Sequence, residues 1–245
     1  MMRRLGLRKF FALVLLLTLL LAPSIALCAT TYDLATDWSK IDNPNGTWAV
    51  WKGSELLQHQ VGTGSPMTAG MDFFAMGNSW GNFLPAWWQG TDNNIYTHSW
   101  DSSNGGTYGE SILTWTAPEA GTISLSGCIW YDHAGVSRSN DFSLYLGSTL
   151  LATGTISHAS HNGEANALTF LDALVAGQAL NDLAVDKDDV VSLYVVESRG
   201  QNWGSVAGVE LTITETAAPV PLPGALLLFG HGLAGLAILK RKMTR

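Results

Sequence analysis

Apolar and polar side chains alternate one by one along several stretches in the central part of the chain. The clearest examples cover residues 122–131, 142–146, 190–196 and 206–214. In an extended strand, successive side chains point to opposite faces, so a period of two separates a buried face from a solvated one. Each of these stretches therefore predicts a β-strand with one face in a core.

Shorter runs of the same kind, bounded by Gly, Asn, Asp and Pro, add to the predicted strands. A Gly-Ser turn at 147–148 joins 142–146 to a run at 150–153 and predicts a β-hairpin. Further short strands are predicted at 47–51, 56–61, 111–116 and 168–170. Only residues 171–180 have a faint helical pattern, which Gly177 interrupts. About eight to ten strands at this spacing predict an all-β fold, a β-sandwich of jelly-roll form.

The N-terminus has the pattern of a secretory signal. Basic residues occur within positions 1–9, an apolar run covers 10–22, and small residues follow at Ser24 and Ala26. We predict a signal peptide over residues 1–29, with cleavage after Ala26, Cys28 or Ala29 as the alternatives. A lipoprotein attached at Cys28 and an uncleaved membrane anchor are the other interpretations. The apolar run is shorter than the ~20 residues of a spanning helix, which favours a cleaved signal.

The C-terminus, residues 218–245, has three parts in a fixed order. A Pro-containing segment is followed by an apolar, Gly-rich stretch at 224–239 and by a basic cluster at 240–245. The stretch predicts a short transmembrane helix of ~24 Å, and positive charge behind it is typical of the cytoplasmic side. An ordinary single-pass tail anchor is the alternative to a temporary anchor that is later removed.

This tail resembles a PEP-CTERM sorting signal in its VPLP form. The resemblance rests on Val220, Pro221, Leu222 and Pro223, on spaced glycines in the apolar stretch, and on Lys240, Arg241 and Lys242. The chain departs from the family pattern at His231, where a small residue is usual. The resemblance implies export by a Gram-negative bacterium that makes an exopolysaccharide. It also implies a membrane protease-transpeptidase, exosortase, as the partner that removes the helix.

Charge is distributed unevenly between the ends and the body. Eight of the 13 Lys and Arg lie in the first nine and the last six residues, whereas all 20 Asp and Glu lie between Asp33 and Glu215. The body therefore has five basic and 20 acidic side chains, a net charge of −15. A body this acidic repels phosphates along its length, so a nucleic-acid partner is excluded.

The body, residues 30–217, is predicted to be one domain. It resembles the jelly-roll domains of PEP-CTERM secreted proteins, which are similar to carbohydrate-binding modules. The matching segments are residues 42–48, 115–123, 139–144 and 202–206. One departure is Asp188-Asp189, where the family usually has Gly-Asp before the next strand. These motifs bear on the fold more than on a ligand.

Tryptophan is over-represented, with 10 residues, all in the predicted mature part. Trp80, Trp87, Trp88 and Trp100 lie in one Gly- and Asn-rich segment, residues 77–106. Flat aromatic rings stack on the C–H faces of sugars, so these four residues are a candidate glycan site. The alternative is that they fill the core, because aromatic residues dominate core burial. Trp87 and Trp88 are adjacent and would point to opposite faces of a strand.

Two groups of residues are candidate metal ligands. Asp186, Asp188 and Asp189, with Asn140 and Asp141 as additional donors, supply oxygen ligands suited to Ca²⁺. The alternative is a solvated turn in front of a strand. His158 and His161, together with His98 or His133, could form a second metal site, for which exposed loop histidines are the alternative.

No catalytic motif is present: Gly-x-Ser-x-Gly, His-Glu-x-x-His, a phosphate loop and Cys-x-x-Cys are all missing. Nothing singles out a carboxylate pair among the glutamates. Cys128 is expected to be a lone buried thiol if Cys28 is removed with the signal, whereas cleavage after Ala26 would allow a Cys28–Cys128 disulfide in an oxidising compartment. We therefore expect a non-enzymatic exported protein of the envelope or extracellular matrix, associated with exopolysaccharide. The alternatives are a dedicated carbohydrate-binding module and a secreted polysaccharide hydrolase or lyase.

Overall fold

The alternating stretches form strands, and the strands assemble into two antiparallel sheets packed face to face. The computed structural model describes residues 29–65, 67–79, 83–104 and 109–218. Residues 1–28 of the predicted signal, Trp80, the predicted sorting motif Val220 to Pro223 and the predicted helix at 224–239 lie outside the described residues. In the described part no helix is long and apolar enough to cross a membrane.

The strands are β1 (Ala29–Asp33), β2 (Trp48–Lys52), β3 (Glu55–Leu56), β4 (Gln58–Val61), β5 (Asp72–Ala75), β6 (Ala86–Gln89), β7 (Ile95–His98), β8 (Ser111–Thr116), β9 (Gly121–Tyr131), β10 (Ser139–Leu146), β11 (Thr149–Ser157), β12 (Leu168–Thr169), β13 (Leu183–Val185), β14 (Val190–Glu197) and β15 (Val206–Ala217). Two single 3₁₀ turns complete the regular structure of the described residues, at Ser102–Asn104 and Glu164–Asn166. Residues 171–180 form turns and a bridge instead of a helix.

The strand order is that of a jelly roll. The nine-stranded sheet has the order β12-β9-β15-β7-β6-β5-β4, with β1 also paired to β15 and β13 to β9. The six-stranded sheet has the order β11-β10-β14-β8-β2-β3. From β7 to β15 the chain passes back and forth between the sheets, so that β7-β15-β9-β12 lies opposite β8-β14-β10-β11. The predicted all-β sandwich is confirmed.

The core lies between the sheets and is built by the predicted alternation. On β14, Val191, Leu193 and Val195 are buried, whereas the residues between them are partly exposed. They belong to one large cluster that also contains Trp87 and Trp115, both fully buried. Aromatic residues of this size contribute much of the hydrophobic stabilisation of such a core.

Strand β1 runs beside the second half of β15 and brings the two ends of the described domain together. Ala29 pairs with Thr216, whereas Cys128 on β9 pairs with Glu210. These two positions on β15 are separated by about 20 Å at the rise of an extended strand. Cys28 lies outside the described residues, so its pairing with Cys128 stays a hypothesis.

Candidate functional site

Strand β6 separates the two adjacent tryptophans as the alternation predicts. Trp87 points into the core and is fully buried, so its ring is not available to a sugar. This corrects its assignment to the glycan site. Trp88 points to the outer face of the nine-stranded sheet and is half-buried. Trp100 follows β7 and is also half-buried.

Three aromatic rings lie in a row across this outer face. The rings of Trp88 and Tyr96 are stacked, with centroids 5.9 Å apart, and Tyr96 meets Trp130 edge-on at 6.2 Å. Trp130 lies flat over Gly208, the residue it pairs with on β15. A Cβ at Gly208 would come within 2.1 Å of Trp130 Cε2, so only glycine leaves room for the ring.

We expect Gly208→Ala to displace Trp130 and to lower the free energy of unfolding by about 1–3 kcal/mol, the usual cost of overpacking. Chemical denaturation measures this change. The control is the double variant Gly208→Ala with Trp130→Leu, in which the smaller side chain removes the clash. If the changes in the free energy of unfolding caused by Gly208→Ala and Trp130→Leu simply add in the double variant, the loss in Gly208→Ala does not come from the close approach of Gly208 and Trp130.

A cleft of about 550 Å³ opens beside Trp88 on the same face. One wall belongs to a small second apolar cluster around Phe73 and Phe83, against which Met67 and Trp88 pack. The other wall comes from the connections before β8, β10 and β15. The lining residues are Met67, Thr68, Met71, Phe83, Trp88, His98, Asp101, His133, Arg138, Trp203 and Val206. Apolar, aromatic and polar groups therefore meet in one concavity of ligand size.

Trp203 forms the rim of the cleft and is 40% exposed, unusual for so large an apolar side chain. The guanidinium Cζ of Arg138 lies 5.5 Å from its ring centroid, in a cation–π arrangement. Arg138 Nη1 also donates to the carbonyl oxygen of Gly204 at 2.8 Å. Arg138 thus holds both the ring and the backbone that follows it.

Buried polar side chains clamp the backbone after Trp203. Gly204 N donates to Asp101 Oδ1 at 2.7 Å, and Asn140 Nδ2 donates to the Ser205 carbonyl at 2.8 Å. Ser99 Oγ donates to Asn140 Oδ1 at 2.7 Å, which orients the amide. Because Asn140 and Ser99 are fully buried, these hydrogen bonds are shielded from water and fix the loop. The Trp203 ring is therefore presented on a rigid support.

Two histidines in the cleft are held in the neutral state. The rings of His98 and His133 lie 5.5 Å apart, and His98 Nδ1 is 2.7 Å from the Ser99 carbonyl. Burial lowers the pKa of His98 from 6.5 to about 4, an effect reinforced by His133 and Arg138 although opposed by the Ser99 hydrogen bond. Burial and then Arg138 also lower the pKa of His133. His133 Nδ1 is buried and has no hydrogen-bond partner among the described residues.

The lowered pKa of His98 predicts a pH dependence of stability. The unfolded chain takes up this proton near pH 6.5 and the folded protein only near pH 4. As the pH falls from about 6.5 to about 4, the shifted pKa of His98 should therefore lower the free energy of unfolding by about 1–3 kcal/mol. Thermal melting of the parent and of His98→Gln between pH 7 and 4 measures it. Parallel pH profiles for the two proteins would contradict the assignment.

The structure does not assemble the predicted metal sites. Asp186, Asp188 and Asp189 are exposed on the turn before β14, where Asp189 Oδ2 accepts a hydrogen bond from Asp186 N at 2.8 Å. His161 Nδ1 lies 3.1 Å from the Asn166 carbonyl, and His158 packs edge-on against Tyr131. The described residues contain no group of three or more His, Cys, Asp or Glu side chains that could hold a metal ion.

Cys128 is a free thiol beside Glu210, at 3.5 Å from its Oε2. Burial, followed by the charge and hydrogen bond of Glu210, raises the pKa of the Cys128 thiol to about 12. The thiolate is the reactive form of cysteine. Cys128 is therefore a poor nucleophile at neutral pH.

Sequence reasoning missed most of the cleft. Trp203 was part of a segment interpreted for fold alone, and Arg138 and Asp101 were not singled out. His98 and His133 were considered only as metal ligands. Trp88 is the predicted glycan-site residue that does line the cleft, and the aromatic residue in the Asn-Trp-Gly-Ser turn at 202–205, directly before a strand, is the signal that could have pointed to Trp203.

Comparison with known proteins yields structural similarity alone. No protein-family model matches the chain, and no curated protein matches it. A structure of the CBM51-2 and INT domains of Clostridium perfringens ZmpB is 14% identical with a TM-score of 0.37, over 76% of this chain and 32% of that one. The C-terminal CBM6 of LamC, a marine laminarinase from Zobellia galactanivorans, is 11% identical with a TM-score of 0.31, over 77% of this chain and 100% of that one.

A family 11 carbohydrate-binding module from Clostridium thermocellum was solved with a β-1,3-1,4-mixed-linked tetrasaccharide. It is 12% identical with a TM-score of 0.30, over 78% of this chain and 98% of that one. This chain thus spans about a third of the Clostridium perfringens structure and nearly all of the other two. With TM-scores of 0.37 or less, these similarities do not assign a function to the chain.

Proposed function

We propose that the protein is an exported, non-catalytic β-sandwich protein that binds carbohydrate in the cleft beside Trp88 and Trp203. The observation that carries the proposal is the exposed Trp203 ring, held by a buried polar clamp at the rim of a cleft of about 550 Å³. Trp203 does not stand alone: Trp88, Phe83 and Met71 line the same cleft, and a contiguous apolar surface of this kind marks an interaction site where a single exposed side chain would not.

The chemistry of the cleft suits a sugar. The ring of Trp203 offers a face for stacking, and Trp88 lies in the same cleft with its own half-buried ring. Asp101 and His133 line the cleft too, with groups that hydrogen-bond hydroxyls. A few polar groups among aromatic walls is the usual composition of a small-molecule site.

A non-catalytic role is supported by the carboxylates around the cleft. Glycoside hydrolysis ordinarily uses two carboxyl groups that flank the scissile bond. Among the described residues that line the cleft, Asp101 is the single acid, and its Oδ1 accepts a hydrogen bond from Gly204 N. Glu164 bonds Asn94, and Glu197 accepts from Ser102 N outside the lining.

Binding to polysaccharide tests the proposed function directly. The full chain is expressed in a host with exosortase, and the exported protein is applied to immobilised exopolysaccharide of that host and to a glycan array. We expect saturable retention that soluble oligosaccharide competes away. If the protein is retained neither by the immobilised exopolysaccharide nor on the glycan array, the carbohydrate-binding proposal fails and a structural role for the sandwich is left.

The proposed sorting makes a separate prediction. Removal of the C-terminal helix by exosortase should leave the exported protein without residues 240–245, and mass spectrometry of the C-terminal peptide measures this. Changing Pro221 and Pro223 to Ala is expected to block processing and to retain the intact chain in the membrane. Intact Lys240 to Arg245 in the matrix-bound parent protein would contradict the sorting proposal.

A further inference from the structure

We infer that the cleft selects sugars that carry an anionic group, a carboxylate or a sulfate ester, with Arg138 as the residue that binds it and His133 as a second donor. This inference rests on the proposed carbohydrate site. It adds the chemical class of the ligand, which the aromatic rings alone do not determine.

Arg138 is a cation without an ion pair among the described residues. Its guanidinium contacts the Trp203 ring and the Gly204 carbonyl. The guanidinium has five N–H donors, and Nη1 uses one of them on Gly204. The remaining donors form a planar fork that matches a carboxylate or a sulfate. Because the ring and the carbonyl already fix the side chain, little conformational entropy is lost when an anion binds.

His133 supplies a second observation that points to a ligand. Buried polar atoms in proteins nearly always have a hydrogen-bond partner. His133 Nδ1 has none among the described residues, although the side chain lines the cleft. This atom is closed to solvent, so an anion oxygen that accepts from both His133 and Arg138 requires the His133 ring to turn toward the cleft. No metal is needed to satisfy this nitrogen, since a protonated ring nitrogen is a donor.

The negative net charge of the body does not prevent Arg138 from binding one anionic group. Its net charge of −15 acts at long range, where salt screens it beyond about 8–10 Å. Nucleic acid would require a row of cations to match successive phosphates. One anionic sugar requires one guanidinium, and Arg138 is one of only five basic residues in the body. The Asp101 carboxylate faces the same cleft and directs Oδ1 to Gly204 N.

An anionic ligand would also be favoured by mild acid. The charged groups that line the cleft with His98 and His133 are Arg138, from the connection before β10, and Asp101, from the connection after β7, and Asp132 directly precedes His133 in the chain. Without ligand, burial and Arg138 keep both rings neutral. A bound anion offsets Arg138 and stabilises protonated His133. Affinity for an anionic sugar should therefore increase as the pH falls from 7 to 5, and affinity for a neutral sugar should not.

The experiment compares one oligosaccharide in two charge states. Alginate oligosaccharides, which carry a carboxylate on each sugar, are titrated into the exported protein by calorimetry. The same preparation with its carboxylates reduced to primary alcohols is the neutral partner. Dextran sulfate against dextran distinguishes a sulfate ester from a carboxylate. We expect at least tenfold tighter binding of one anionic form than of its neutral partner.

Matched variants locate the effect. Arg138→Gln should abolish the preference for the anionic form, and His133→Gln should reduce its increase at low pH. Arg199→Gln removes the same charge from an exposed position outside the cleft and should change neither. Equal affinity for the charged and neutral oligosaccharides would overturn the inference that the ligand is anionic, and so would equal losses of affinity in Arg138→Gln and Arg199→Gln. Either result would leave the carbohydrate site itself standing. Failure to bind any member of the panel would contradict the carbohydrate site itself.

Discussion

Replacing Trp87 by alanine is expected to lower the free energy of unfolding by about 3–5 kcal/mol, the usual cost of removing a large aromatic side chain from a core. Trp87 is fully buried between the sheets and belongs to the main cluster with Leu113, Trp115 and Val195. Urea denaturation of the parent and the variant measures the difference.

Two further variants sharpen this result. Trp87→Phe keeps a ring in the core and removes an indole Nε1 that has no hydrogen-bond partner among the described residues. Its loss should be less than half that of Trp87→Ala. Trp88→Ala truncates the neighbouring ring on the outer face, where it is half-buried against Tyr96. Equal losses for Trp87→Ala and Trp88→Ala would contradict the orientation of β6.

Replacing Trp203 by alanine is expected to weaken carbohydrate binding by at least about tenfold, taking as the scale the ~1–3 kcal/mol that one aromatic ring contributes by stacking in nucleic-acid sites. Stability should change little, since the ring is 40% exposed and the clamp on Gly204 and Ser205 is made by other side chains. The cation–π contact with Arg138 accounts for at most about 1 kcal/mol. Calorimetry and thermal melting separate the two effects.

A matched control lies on the opposite side of the sandwich. Tyr194 is half-buried on the outer face of the six-stranded sheet, where it meets Tyr145 edge-on at 5.5 Å. Tyr194→Ala removes a comparable aromatic surface at a distance from the cleft and should leave binding unchanged. A loss of binding in Tyr194→Ala without a loss in Trp203→Ala would move the site to the other sheet.

The fold could be predicted because each strand carries its own signal. The alternation at 190–196 needs no partner to be visible, and it corresponds to β14, Val190–Glu197, with the expected faces buried. The same rule predicted that Trp87 and Trp88 would diverge. It could not tell which of them would face the core, because that depends on which side of β6 the second sheet lies.

The cleft could not be predicted because its residues meet only through long-range pairing. His98 and Val206 are adjacent because β7 pairs with β15, and Asn140 reaches Ser205 across 65 positions of sequence. Arg138 and His133 come from the connection between β9 and β10, which has no pattern of its own. The metal site predicted at Asp186, Asp188 and Asp189 fails for the opposite reason. These carboxylates are close in sequence, but each is exposed to solvent and they do not converge on one point.

The most direct test of the account is a nuclear magnetic resonance titration of the tryptophan indole N–H signals with the oligosaccharide that the protein retains best. Assignment uses the single variants. The account predicts saturable shifts for Trp203 and Trp88, which line the cleft, and unchanged signals for Trp87 and Trp115, which are fully buried in the core. Saturable shifts confined to other indoles, with Trp203 and Trp88 unchanged, would contradict it.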